Sequence, residues 1–140
     1  MADIPVRPEI SVDTVCRLIA RARQFDVKEA PSDEQEGSNA TDDGFIDVLE
    51  ANRDDPVFME LKATIDSLDV DAQADLVALA WVGRGDYGPE EWRDARALAR
   101  QEHSTRVAAY LLGMPLLGDY LEEGLAEFDL SCEDFDKQHF

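Results

Sequence analysis

The residues best placed to do chemistry are five arginines between Arg84 and Arg106, in a chain that is otherwise strongly acidic. Arg93, Arg96 and Arg100 recur at i, i+3 and i+7, a spacing that lines them along one side of a helix. Asp86, Glu90, Glu91, Asp94 and Glu102 balance the five, so this window is neutral. Two readings follow. In the simpler one the arginines pair internally with acidic neighbours, for which the guanidinium fork is well suited. In the other, Arg84, Asp86 and Tyr87 in a loop and Arg93, Arg96 and Arg100 on the following helix form a site for an acidic group. Pro89 adds to that reading, because amide groups just inside a helix start point toward the loop and can receive an anion. This second reading expects a concave pocket at the loop, with the arginines only partly paired.

Other chemistry is poorly supplied. Gly83-Arg-Gly85-Asp-Tyr-Gly88 spells G-x-G-x-x-G, but dinucleotide binding needs that spelling after a strand. Here it follows a helical pattern, so Gly83 reads as a helix stop and Gly88 as the residue before Pro89. The Arg84-Gly-Asp86 adhesion triplet inside it is a coincidence. Asp69-Val-Asp71-Ala-Gln73-Ala-Asp75 alternates oxygen ligands like a calcium loop, yet the required Gly and Glu places hold Ala74 and Ala80. Acidic residues in a first helical turn also suit the helix dipole. Asn39-Ala-Thr41 matches a glycosylation sequon, without weight in a chain lacking a secretory signal. His103 and His139 stand at no metal-ligand spacing. Ser104 reads as a helix cap, and carboxylate pairs such as Glu90-Glu91 and Glu122-Glu123 read as solvated faces. No catalytic set, metal site or cofactor site emerges, so an enzyme is not expected.

The elements that would hold these residues are helical throughout. Val12, Val15, Cys16, Ile19 and Ala22 form one stripe after Ser11 as cap, running on to Phe25. Residues 30–44 hold almost nothing to bury and read as an exposed acidic loop. A short helix around Phe45–Asn52 precedes Asp55 and Pro56, a capped start for Phe58, Leu61, Ile65 and Leu68. Asp69 caps Ala72, Leu76, Leu79 and Ala80, widened by Val77 and Trp81. Pro89 opens a helix carrying Trp92, Ala95, Leu98 and Ala99. Ser104 begins one that Gly113 ends. Pro115 opens the last, with Leu117, Tyr120, Leu121, Leu125 and Phe128 in period. No alternating stretch suggests a strand. The expected fold is an all-α single-domain bundle of about six or seven short helices over residues 1–128. An acidic tail over 129–140 is a candidate for disorder.

Length and charge bound the rest. At 140 residues, with 44% hydrophobic content, one domain can bury roughly two-thirds of its unfolded surface. The net charge of −19 repels phosphate backbones and anionic lipid, which argues against nucleic acid and membrane as partners. It favours a basic protein partner. Cys16 and Cys132 show neither zinc nor redox spacing, and a disulfide between them is left open. The first residues have no apolar signal core, and a cytoplasmic location is the expectation.

Two stretches carry a family resemblance: Leu76-Val-Ala-Leu-Ala-Trp-Val-Gly-Arg-Gly-Asp86 and Tyr110-Leu-Leu-Gly-Met-Pro-Leu-Leu-Gly-Asp-Tyr-Leu-Glu-Glu-Gly-Leu125. With Gly37-Ser-Asn39 and Asp42-Asp-Gly44, the chain over roughly residues 10–126 resembles a family of small bacterial proteins known only as a domain of unknown function. The resemblance implies a helical fold and carries no activity, cofactor or partner. Three functions therefore stand. The leading one is a non-enzymatic interaction module whose acidic segments, around residues 32–43 and 127–136, attract a basic protein. The second is an anion- or small-molecule-binding domain, or an enzyme of that kind, centred on the Arg84–Tyr87 loop and the arginine edge of the following helix. The third is self-association through Leu111, Leu112, Leu116 and Leu117.

Overall fold

The computed structural model describes residues 7–28, 52–102 and 106–133. Among them lie six α-helices and no strand: α1 (Val12–Lys28), α2 (Pro56–Ser67), α3 (Val70–Arg84), α4 (Trp92–Glu102), α5 (Val107–Leu112) and α6 (Leu117–Glu127). The chain is all-α, as its periodicity predicts. The expected loop at 30–44, the helix at Phe45–Asn52 up to its last residue, and Ser104 lie outside the described residues, as do both histidines.

α3 is the centre of the bundle. Every residue from Ala74 to Val82 is buried, which fits a helix whose one charged position along that stretch is Asp75. It packs chiefly against α6 and α4; α1 lies on α6 and α2, and α2 on α5. Close approach of α3 and α6 depends on two glycines. A methyl group on Gly83 would meet the Tyr120 carbonyl, and one on Gly124 would meet the Leu79 carbonyl.

The helix starts follow local chemistry. Asp55 accepts the Val57 and Phe58 amides at 2.9 and 3.2 Å, with Pro56 at the first helical position. Asp69 accepts the Ala72 amide at 2.8 Å. Ser11 Oγ accepts the Thr14 amide at 3.3 Å. Gly113 ends α5 as expected.

Three boundaries differ from the expectation. Gly83 does not stop α3, which runs on to Arg84; Gly85 ends it at φ +96°, with its own amide and that of Asp86 bonded back to the Trp81 carbonyl. Gly83 is there instead for the packing of α6. Pro89 opens a short 3-10 turn, Pro89–Glu91, and the α-helix begins at Trp92. Pro115 does not open α6 either. Leu116 adopts φ +65°, which breaks the run, and the helix starts at Leu117.

Cys16 on α1 and Cys132 form a disulfide, Cα–Cα 5.6 Å. The pair is buried, at 2% and 9% exposure. Together with half-buried Phe128 and Leu130, it docks residues 128–132 on the domain, and residues 134–140 lie outside the described set. Disulfides persist in oxidising surroundings, so a reducing cytoplasm does not favour this cross-link.

Candidate functional site

The loop after α3 sits where two helices end. The last turn of α3 presents Trp81 and Arg84, and the last turn of α4 presents Leu98 and Glu102. With Asp86, Tyr87 and Tyr110 of α5 they line a cleft of about 310 Å³. Its floor is aromatic. Trp81 Nε1 donates to the Tyr110 hydroxyl at 2.9 Å, and the Tyr87 ring stacks on Trp81 with centroids 5.8 Å apart.

Arg84 is already engaged in this cleft. Its Nε and Nη2 donate to Asp86 Oδ2 at 3.0 and 2.6 Å, while Nη1 points at Met114 Sδ, 3.9 Å away. The hydrogen bond to Asp86 raises the proton affinity of Arg84 more than burial lowers it. The amide of Gly88, which could have faced an anion at the start of the 3-10 turn, donates to Glu91 Oε1 at 2.8 Å.

The remaining arginines divide. Arg96 and Arg100 face α3 rather than the cleft. Arg96 Nε donates to Asp75 Oδ1 at 3.1 Å and its Nη2 lies 3.3 Å from Asp71 Oδ1; Arg100 Nη1 donates to the same Asp71 oxygen at 2.9 Å. Arg93 lines a separate cleft of about 470 Å³ with Pro89, Glu90, Trp92 and Phe128, where the Trp92 and Phe128 rings meet edge-on at 5.3 Å. The structure thus brings Arg84, Asp86 and Tyr87 together and sets Arg93, Arg96 and Arg100 elsewhere. Trp81, Leu98, Glu102 and Tyr110 are not among the site residues that the sequence suggests. They reach the cleft from three helices, and no spacing in the chain announces them.

Asp75 is the one buried charged residue among those described, 2% exposed. Beyond Arg96, its Oδ2 accepts the amides of Glu9 and Ile10 at 2.8 and 2.9 Å, tying the segment before α1 to α3. Burial raises its pKa, opposed by those amides and by Arg96. Asp75 and its neighbours Asp69 and Asp71 border a third cleft, of about 240 Å³, but each carboxylate already has a partner or caps a helix. No group of three or more His, Cys, Asp or Glu among the described residues is placed to hold a metal ion. No described helix is long and apolar enough to cross a membrane.

A bundle wrapped around one helix buried from Ala74 to Val82, with its open clefts at helix ends, defines a small helical domain. The family model for proteins of unknown function, DUF3775, matches residues 59–130, more than half of the chain, and the protein belongs to that family. Both long stretches quoted above, and every residue lining the 310 Å³ cleft, fall inside the match, whereas the segment with Gly37 and Gly44 falls outside it. No curated protein and no solved structure matches the chain.

Proposed function

We propose that this chain is a non-enzymatic helical interaction module that takes a basic protein partner on its acidic surface. One observation carries the reading: five of the ten arginines pair with carboxylates of the domain itself, and exposed carboxylates are left over on one side of it. Arg21 binds Glu60, Arg23 binds Asp119 and Glu122, Arg84 binds Asp86, and Arg96 and Arg100 bind Asp71 and Asp75. By contrast Glu123, Glu127, Asp129 and Glu133, exposed along α6 and the segment after it, enter no ion pair among the described residues. An uncompensated field of this kind speeds and selects encounters with a basic surface. Retention of a partner from native extract on the immobilised full chain, at low and at moderate salt, tests it. Retention at low salt that weakens as salt rises is expected; none at either salt, or indifference to salt, would sink it.

The 310 Å³ cleft also favours a second reading, an anion- or small-molecule-binding domain centred on Arg84, Asp86 and Tyr87, with Arg93, Arg96 and Arg100 outside it. It stands second because Arg84 would first have to leave Asp86. Isothermal titration with inorganic phosphate tests it: heat that disappears in Arg84→Met supports it, and no heat dismisses it.

A further inference from the structure

The cleft between α3 and α4 is more than a place where Arg84 sits. The last turns of α3 and α4 border it, at Arg84 and Glu102. The aligned peptide dipoles of a helix leave partial negative charge at its C-terminus, which favours cations. The formal charges agree. Arg84 is matched by Asp86, which leaves the exposed carboxylate of Glu102, with no ion pair among the described residues, as the uncompensated charge in the lining. Aromatic rings complete the setting. Tyr87 is half-buried, backed on Trp81, and Tyr110 is held by the Trp81 N–H, so both rings are fixed before anything binds. A cation over such a ring gains from its quadrupole, and fixed rings lose little entropy on binding. Leu98 supplies apolar surface for an aliphatic stem.

We propose that this cleft receives a basic side chain of the partner, the guanidinium of an arginine or the ammonium of a lysine, between the Tyr87 and Tyr110 rings and the Glu102 carboxylate. The proposal rests on the interaction reading above and names the point where that partner is anchored. An anion is the weaker occupant, because it would meet Glu102 and two helix C-termini and would have to draw Arg84 from Asp86.

The test uses the full chain and a fluorescein-labelled peptide of alternating arginine and glycine, with a glutamate–glycine peptide as its acidic counterpart. Anisotropy at one low ionic strength is read for wild type, Glu102→Gln, Tyr87→Leu and Tyr87→Phe, each checked for helicity by circular dichroism. Glu102→Gln and Tyr87→Leu are each expected to weaken the arginine peptide about fivefold or more, with Tyr87→Phe close to wild type, because the ring and not the hydroxyl makes the contact. A change below about twofold in either of the first two variants overturns the cleft while leaving the acidic-surface reading intact. Stronger binding of the glutamate peptide than of the arginine peptide also overturns it. Failure of wild type to bind the arginine peptide at all removes the interaction reading itself.

Discussion

Gly83 on α3 faces the backbone carbonyl of Tyr120 on α6 so closely that the site has no room for a β-carbon. The two helices meet backbone to backbone there, and Gly124 makes the reciprocal approach to Leu79. This contact fixes the central helix, and through it the end of α3 at which the aromatic cleft forms.

Gly83→Ala is therefore expected to cost about 1–3 kcal/mol or more, the scale of core overpacking, because the obstruction is backbone and cannot swing away. Gly124→Ala should behave alike. Gly85→Ala meets no atom within 4 Å and suffers only from its positive φ, at about 1 kcal/mol. Urea denaturation of the three variants should rank Gly85→Ala mildest.

Asp75→Ala should destabilise by about 3 kcal/mol, since it strands two amides and takes from the largely buried Arg96 its buried partner, leaving only exposed Asp71. Asp75→Asn, which keeps one carbonyl acceptor, should cost less. Guanidinium denaturation of both variants checks the order, and an alanine variant as stable as wild type would contradict it.

The same residue has a pH signature. Its pKa is raised in the folded chain by desolvation, so between the ordinary carboxylate value and the raised one the native state holds more proton than the unfolded state. Its contribution is thus greatest below the unfolded value and falls as pH rises through the folded one. The stability difference between wild type and Asp75→Asn should shrink in wild type's disfavour as pH rises across that window. A difference that stays level or grows would contradict the assignment.

Reducing Cys16–Cys132 should lower stability by about 2–5 kcal/mol, because the bond closes a loop of 116 residues' separation in the unfolded chain. Thermal melts with and without dithiothreitol, with alkylation and mass measurement to confirm two thiols, check this. Cys132→Ala should be indifferent to the reductant.

Much of the fold was legible in the residues because its signals are local. Asp55 before Pro56, and Asp69 three residues before Ala72, cap helices through bonds that span one turn, and spacing alone exposes them. Gly83 was misread as a helix stop because its reason lies on another helix, where the Tyr120 carbonyl forbids a side chain. Pro115 was misread because the backbone of Leu116, not the proline, decides where α6 begins. Cys16 and Cys132 could not be paired from spacing, since only the docking of the segment after α6 beside α1 joins them. The cleft was half legible. Arg84, Asp86 and Tyr87 are neighbours at the end of α3 and in the loop after it, whereas Glu102 and Tyr110 reach the cleft through tertiary packing that no local pattern encodes.

Under the proposed interaction reading, carboxylates left over on the folded domain collect a basic partner. The most direct measurement is the affinity of the full chain for the labelled arginine–glycine peptide across a salt series that shortens the Debye length from about 30 Å to about 8 Å. Affinity should fall steadily along the series, and Glu123→Gln with Glu127→Gln should lower it at the low-salt end while leaving the melting temperature in place. No binding at the lowest salt, or an affinity that salt and both substitutions leave untouched, would contradict the account.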